Sequence, residues 1–143
     1  MIKLFISYAH KDKEVIANIV NELNSVYEVW IDVDDICIGS KWNNEIIKAI
    51  KCCNYFIIFV SNNSLNSKYC NEELDLAIKL NKKVIPILIE ELVLPKHLNE
   101  LQCIYLDDIY KLFSRLTKTK LDITILLLIL NIILTTILLI FNI

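Results

Sequence analysis

Phe56-Ile57-Ile58-Phe59-Val60 is apolar at every position, so an extended chain here has no face to give to water. Such a segment calls for a central strand covered by helices on both sides. The rest of the first 122 residues fits that demand. Apolar strand-like runs at Lys3 to Ser7, Glu28 to Asp32, Tyr55 to Val60, Val84 to Ile89 and Cys103 to Leu106 alternate with helix-period segments. Val15, Ile16, Ile19, Val20 and Leu23 keep an i, i+3/i+4 spacing, as do Trp42, Ile46, Ala49, Ile50 and Cys53. The alternation predicts one α/β domain built on a doubly wound parallel sheet, and about 120 residues suffice for its core.

The chain divides after Asp122, the last charged residue. Ile123 to Ile143 are 21 residues without a formal charge. As a helix rising ~1.5 Å per residue they cover roughly 32 Å, enough for a hydrocarbon core of ~30 Å. The expectation is a single transmembrane helix over 123–143. Lys111, Arg115, Lys118 and Lys120 precede it with no acid among them, so residues 118–122 read as a basic juxtamembrane segment. Those cations hold the N-terminal domain on the cytoplasmic side and can meet anionic lipid headgroups. The apolar run at the start, Met1 to Phe5, is too brief for an export signal.

Composition narrows the function classes. The charged part carries fifteen Lys/Arg against seventeen Asp/Glu, a net charge of −2, with no basic footprint for nucleic acid. Five cysteines, at 37, 52, 53, 70 and 103, are odd in number and lack paired metal spacing. They read as small core residues in a reducing compartment, and no metal is expected. Two histidines leave little material for Cys-His or Ser-His-Asp catalysis. Neither a phosphate-cradling P-loop nor a G-x-G-x-x-G pattern is present.

In doubly wound sheets ligands collect at the carboxyl ends of the strands. Three segments therefore stand out: Ser7-Tyr8-Ala9-His10-Lys11-Asp12, Asp32 to Ser40, and Ser61-Asn62-Asn63-Ser64. The second holds Gly39, the only glycine, which marks either a close approach or an ordinary turn. One acid is out of place. With Tyr69 to Leu80 projected at about 100° per residue, Cys70, Leu74, Ala77, Ile78 and Leu80 share one arc, and Glu73 falls inside it. Glu72 projects beside Lys79 on the polar side. Glu73 is thus either a site acid or half of a structural ion pair.

Phe5-Ile6-Ser7-Tyr8-Ala9-His10-Lys11-Asp12, Val29-Trp30-Ile31-Asp32 with a loop ending Gly39-Ser40 and Trp42, Ser67 to Leu74, and Val84-Ile85-Pro86-Ile87 come in an order and spacing that resemble the TIR (Toll/interleukin receptor) domain family. The resemblance covers roughly residues 1–117. It implies a flavodoxin-like five-stranded parallel sheet in the order 2-1-3-4-5, and, as in many bacterial members, cleavage of NAD. The family's catalytic glutamate lies four residues after an aromatic residue, usually tryptophan; Tyr69 and Glu73 have that spacing. Tyrosine replaces tryptophan, and Ile38 stands where many members have proline. By the same resemblance Glu73 is catalytic, while Ser7, Tyr8, Ala9, Asp32, Gly39, Ser40, Trp42 and Tyr69 contact NAD. Trp42 also reads as a core anchor and Asp32 as a loop cap. NAD is substrate and no cofactor is implied. A response-regulator receiver shares the fold, but its acidic pair and aspartate would fall on Ser7-Tyr8 and Val60-Ser61.

Activity in this family commonly depends on assembly of TIR domains through the segment around Gly39, which makes further copies of the chain the expected partners. Thr124, Asn131, Thr135 and Asn142 are spaced to lie on one face of the tail helix, where polar groups in hydrocarbon would seek each other. The expected protein is a membrane-anchored NAD+ nucleosidase, a bacterial antiviral or cell-suicide effector triggered by a separate sensor. A non-catalytic adaptor that recruits other TIR domains at the membrane is the alternative.

Overall fold

The computed structural model describes residues 1–31 and 44–117. Its strands are β1 (Lys3–Ser7), β2 (Glu28–Ile31), β3 (Tyr55–Val60), β4 (Lys83–Leu88) and β5 (Ile104–Tyr105), joined in one parallel sheet of order β2-β1-β3-β4-β5. Helices α1 (Lys13–Val26), α2 (Asn44–Cys52), α3 (Asn62–Leu65), α4 (Lys68–Lys79), α5 (Lys96–Asn99) and α6 (Tyr110–Thr117) lie between and after them. The chain divides into two units, Met1–Asp107 and Asp108–Ile143. In the described part of the second, Lys111 Nζ donates to Asp108 Oδ2 at 2.6 Å at the start of α6. The juxtamembrane segment 118–122 and the expected span 123–143 lie outside the described residues. Among those described, no helix is long and apolar enough to cross a membrane.

Every residue of β3 is buried, as a strand apolar on both faces requires. The sheet order explains how both faces are covered. From β1 the chain crosses to β2 on one side, then returns past β1 to β3, and right-handed crossovers in opposite directions place successive helices on opposite faces. On one face Phe5, Phe56, Ile58 and Val60 pack with Ile50 and Cys53 near the end of α2 and with Cys70, Leu74 and Ala77 of α4. Alternation turns Leu4, Ile6, Ile57 and Phe59 to the other. Phe5 is in register with both Trp30 and Phe56. Its ring stacks on theirs at 5.0 and 5.2 Å, forming an aromatic ladder across three strands.

Pro86 sits inside β4 at little cost. There β4 is paired with β3, whereas β5 joins it only at Ile87 and Leu88, so a missing N–H need not break a second ladder. Helix α4 stops in a Schellman turn: Asn81 takes the left-handed conformation at φ 51°, Asn81 N–H bonds Ile78 O, and Lys82 N–H bonds Ala77 O. Lys82 Nζ then donates to Lys51 O and Cys53 O at 2.5 and 3.1 Å. A cation thereby covers carbonyls at the carboxyl end of α2 and ties that helix to α4.

The expected positions needed small corrections. Val15 and Ile78, assigned to apolar arcs, are 56% and 42% exposed. Cys52 is exposed and Cys103 only half-buried, whereas Cys53 and Cys70 are core residues as expected. Neighbouring apolar positions complete both helix faces without Val15 and Ile78: Ile16 and Leu23 are buried on α1, and Leu74 and Ala77 on α4.

Candidate active site

Helix α4 begins where the α3 segment ends, near the carboxyl edge of the sheet. Ser67 caps it, its Oγ accepting from Cys70 N–H at 3.3 Å. Asn71 Nδ2 donates to Leu65 O and Ser67 O at 2.9 and 2.8 Å, which fixes the angle between α3 and α4. Beyond this joint Cys70, Glu73, Leu74 and Ala77 form a buried stripe of helical period, and α4 packs on α2, β1, β3 and β4.

Glu73 is therefore where the projection puts it, 4% exposed in the first half of α4. Glu72 points outward and lies 3.7 Å from Lys68, a pairing one turn back rather than with Lys79. A buried carboxylate is costly unless polar or charged groups meet it. Glu73 has such company, although its Oε1 accepts no hydrogen bond from a described residue.

Ser7 ends β1 on the same side as Phe5, the side covered by α2 and α4. It is 1% exposed, and its Oγ has no hydrogen-bond partner among the described residues. Ser7 and Glu73 thus bring two buried oxygens to one face of the sheet. Tyr8 is half-buried, Ala9 is buried, and Tyr69 is 50% exposed one turn before Glu73. Asp32, Gly39, Ser40 and Trp42 lie outside the described residues.

One buried acid was missed. Asp12, 5% exposed, closes the 3-10 turn His10–Asp12 and accepts from Ser61 Oγ at 2.5 Å and from Asn63 Nδ2 at 2.7 Å. Ser61 is also the N-cap of α3, accepting from Ser64 N–H at 3.0 Å in a reciprocal capping box. Asp12 thus locks the β1 end to the segment that leads into α4. The Ser61-x-x-Ser64 spacing was the available signal; the strand-end segment Ser7 to Asp12 stood out, but among its polar residues nothing singled out Asp12. Among the described residues, no three His, Cys, Asp or Glu side chains converge as a metal site.

Residues 4–117 match the TIR domain family. Over 90 residues the chain is 33% identical to the NAD(+) hydrolase TcpC of Escherichia coli O6:H1, covering 58% of this chain and 29% of that protein. It is 36% identical over 90 residues to TcpO of Methanobrevibacter olleyae, named a probable 2' cyclic ADP-D-ribose synthase, covering 59% of this chain and 26% of TcpO. The aligned part of the chain therefore spans less than a third of either relative. Among solved structures, the TIR domain of the Toll-related receptor TRR-2 from Hydra magnipapillata superposes with a TM-score of 0.64 at 26% identity, covering 78% of this chain and 91% of that one. The strand order matches the one the resemblance implies.

Proposed function

The chain belongs to the TIR domain family, and from that premise we propose that it is an NAD+ nucleosidase, cleaving the bond between nicotinamide and ribose with Glu73 as its catalytic carboxylate. The observation that carries this reading is the burial of Glu73, 4% exposed, on the face of the sheet that also holds Ser7. Two relatives whose names record NAD hydrolysis and cyclic ADP-ribose synthesis support the substrate class.

The chemistry needs few groups. Nicotinamide in NAD is a cationic pyridinium that departs neutral, so no strong acid has to protonate it. What the reaction requires is a negative charge near the ribose, where positive charge grows in an oxocarbenium-like transition state. A carboxylate in a water-poor site acts through a stronger field than one in solvent. Glu73 fills that role and hydrogen-bonds the ribose hydroxyls. Ser7, Tyr8, Ala9, Asp32, Gly39, Ser40, Trp42 and Tyr69 contact the dinucleotide. Water that takes the place of nicotinamide at the ribose C1′ gives ADP-ribose, and capture of that carbon by a group of the same molecule gives a cyclised form. NAD is the substrate and the reaction uses no cofactor.

Residues 123–143 hold the protein in a membrane as a single span with the TIR domain cytoplasmic. Copies meet through the segment around Gly39 and along the Thr124, Asn131, Thr135, Asn142 stripe, and a separate sensor starts the assembly. Tethering raises the local concentration of neighbouring domains without new contacts. Such a protein suits an antiviral or cell-suicide response. A recruiting adaptor, by contrast, would use the buried Glu73 carboxylate only as half of a structural ion pair. The test is nicotinamide release by full-length protein in detergent, either dispersed or clustered by antibody against an added tag. Faster release on clustering is expected; clustered protein that releases none would leave the adaptor.

A further inference from the structure

A carboxylate that acts on a reacting centre has little room for error, since a misplacement of about 1 Å can cost roughly a hundredfold in rate. Glu73 takes its place from the first turns of α4, so whatever sets the start of that helix sets the acid. The helix starts from α3, and two acids fix α3 to the sheet. From the β1 end Asp12 accepts from Ser61 Oγ and Asn63 Nδ2. From the β4 end Glu90 Oε1 accepts from Asn62 N–H, next to Ile89, whose own N–H bonds Val60 O at 3.1 Å and extends the ladder with β3. Leu65, the last residue of α3, packs against the core cluster that holds Cys70 and Leu74. The α3 segment is thus a fixed base to which α4 is joined.

Asn71 makes the side-chain bridge across that joint. It is half-buried, and its amide carries two N–H donors. Nδ2 donates to Leu65 O at 2.9 Å and to Ser67 O at 2.8 Å. Leu65 O is the last carbonyl of α3 and has no following turn of that helix to bond. Ser67 O belongs to the residue that caps α4, so the amide spans the break between the two helices. At about 100° per residue Asn71 lies ~200° around α4 from Glu73, on nearly the opposite side. It stands outside the buried stripe of Cys70, Glu73, Leu74 and Ala77. Any effect of Asn71 on chemistry at Glu73 therefore passes through the backbone of α4.

We propose that Asn71 is a positioning residue for Glu73: its bridge from Leu65 O to Ser67 O fixes how α4 leaves α3, and so where the carboxylate stands. This role rests on the nucleosidase reading, so its test also includes a measurement that needs no turnover. Asn71→Leu keeps the bulk and loses both donors, while Asn71→Asp keeps the shape and turns a carboxylate toward the two carbonyls. In clustered full-length protein either change should lower kcat for nicotinamide release about tenfold or more, with KM for NAD within about twofold. In a Glu73→Gln background the same changes should lower the residual kcat by less than about twofold, since the acid they place is gone. Leu23→Ala, which opens a cavity under α1, should lose stability and keep kcat within about twofold. The turnover-free measurement is iodoacetamide labelling of Cys70, a buried neighbour of Asn71, read by mass spectrometry. Asn71→Leu should speed it about tenfold by loosening the joint, and leave buried Cys53 at its wild-type rate. An Asn71→Leu protein with wild-type kcat would overturn the positioning role, as would a loss equally large in the Glu73→Gln background or matched by Leu23→Ala. Unchanged labelling of Cys70 would overturn it too. Faster Cys70 labelling in Asn71→Leu, when clustered wild type releases no nicotinamide, would keep Asn71 as the residue that places Glu73 and remove the nucleosidase reading.

Discussion

Replacing Asp12 should be the most damaging polar substitution outside the Glu73 face. Its carboxylate is 5% exposed and accepts bonds of 2.5 and 2.7 Å from Ser61 and Asn63. Hydrogen bonds to a charged group contribute about 1.5–3 kcal/mol each, so Asp12→Ala removes about 3–6 kcal/mol of interaction. Relief from burying the charge offsets part of this, and the net loss should be about 2–3 kcal/mol. At ~2.1 cal/mol/K per residue, each kcal/mol corresponds to about 4 °C for a domain this size, so the midpoint should fall about 8–12 °C. Asp12→Asn, which can still accept from Ser61, should lose roughly half as much. Urea unfolding gives the free-energy losses and thermal unfolding the midpoints of all three proteins, full-length in detergent and followed by tryptophan fluorescence. A cycle with Ser61→Ala should show coupling of at least ~0.5 kcal/mol. An Asp12→Ala protein within ~0.5 kcal/mol of wild type would refute the role of Asp12 as the tie between the β1 end and α3.

Leu74→Ala on the buried face of α4 should cost about 2–5 kcal/mol in the same unfolding assay, because a side chain 1% exposed leaves a cavity. Iodoacetamide should label exposed Cys52 before buried Cys53, whose thiol is pushed above its ordinary 9.0 chiefly by burial; mass spectrometry of native protein reads the order, and equal rates would contradict the packing. Because the shift is upward, the stability linked to that neutral thiol is full below pH 9 and declines as pH rises through the folded value. Asn131→Leu with Asn142→Leu should preserve membrane insertion while reducing crosslinked oligomers; unchanged crosslinking would remove the polar stripe from the assembly.

The elements carried by an apolar pattern were legible from sequence, and those carried by single polar contacts were not. β1 and β3 fall on their expected residues, and every position in them is buried except Lys3, the first of β1. β4 begins one residue earlier, at Lys83, which pairs with Tyr55 in the ladder and sets its ammonium 5.5 Å from the centre of that ring. β5 shrinks to Ile104–Tyr105: Cys103 turns its thiol to Leu98 O and Leu101 O, and Leu106 opens a 3-10 turn. Glu73 was visible because one acid in an apolar arc breaks a period. Asp12 was not, because its partners are 49 and 51 residues away and its sequence neighbours are polar.

The most direct measurement is nicotinamide release from NAD by clustered full-length protein carrying Glu73→Gln or Glu72→Gln. The two changes remove the same charge one residue apart, from a buried face and from an exposed one. Glu73→Gln should lower kcat by about a hundredfold or more, the scale of losing one group that stabilises transition-state charge. Glu72→Gln should stay within about twofold of wild type, since its partner Lys68 is a surface pair. Equal rates in the two variants would contradict the assignment of catalysis to Glu73.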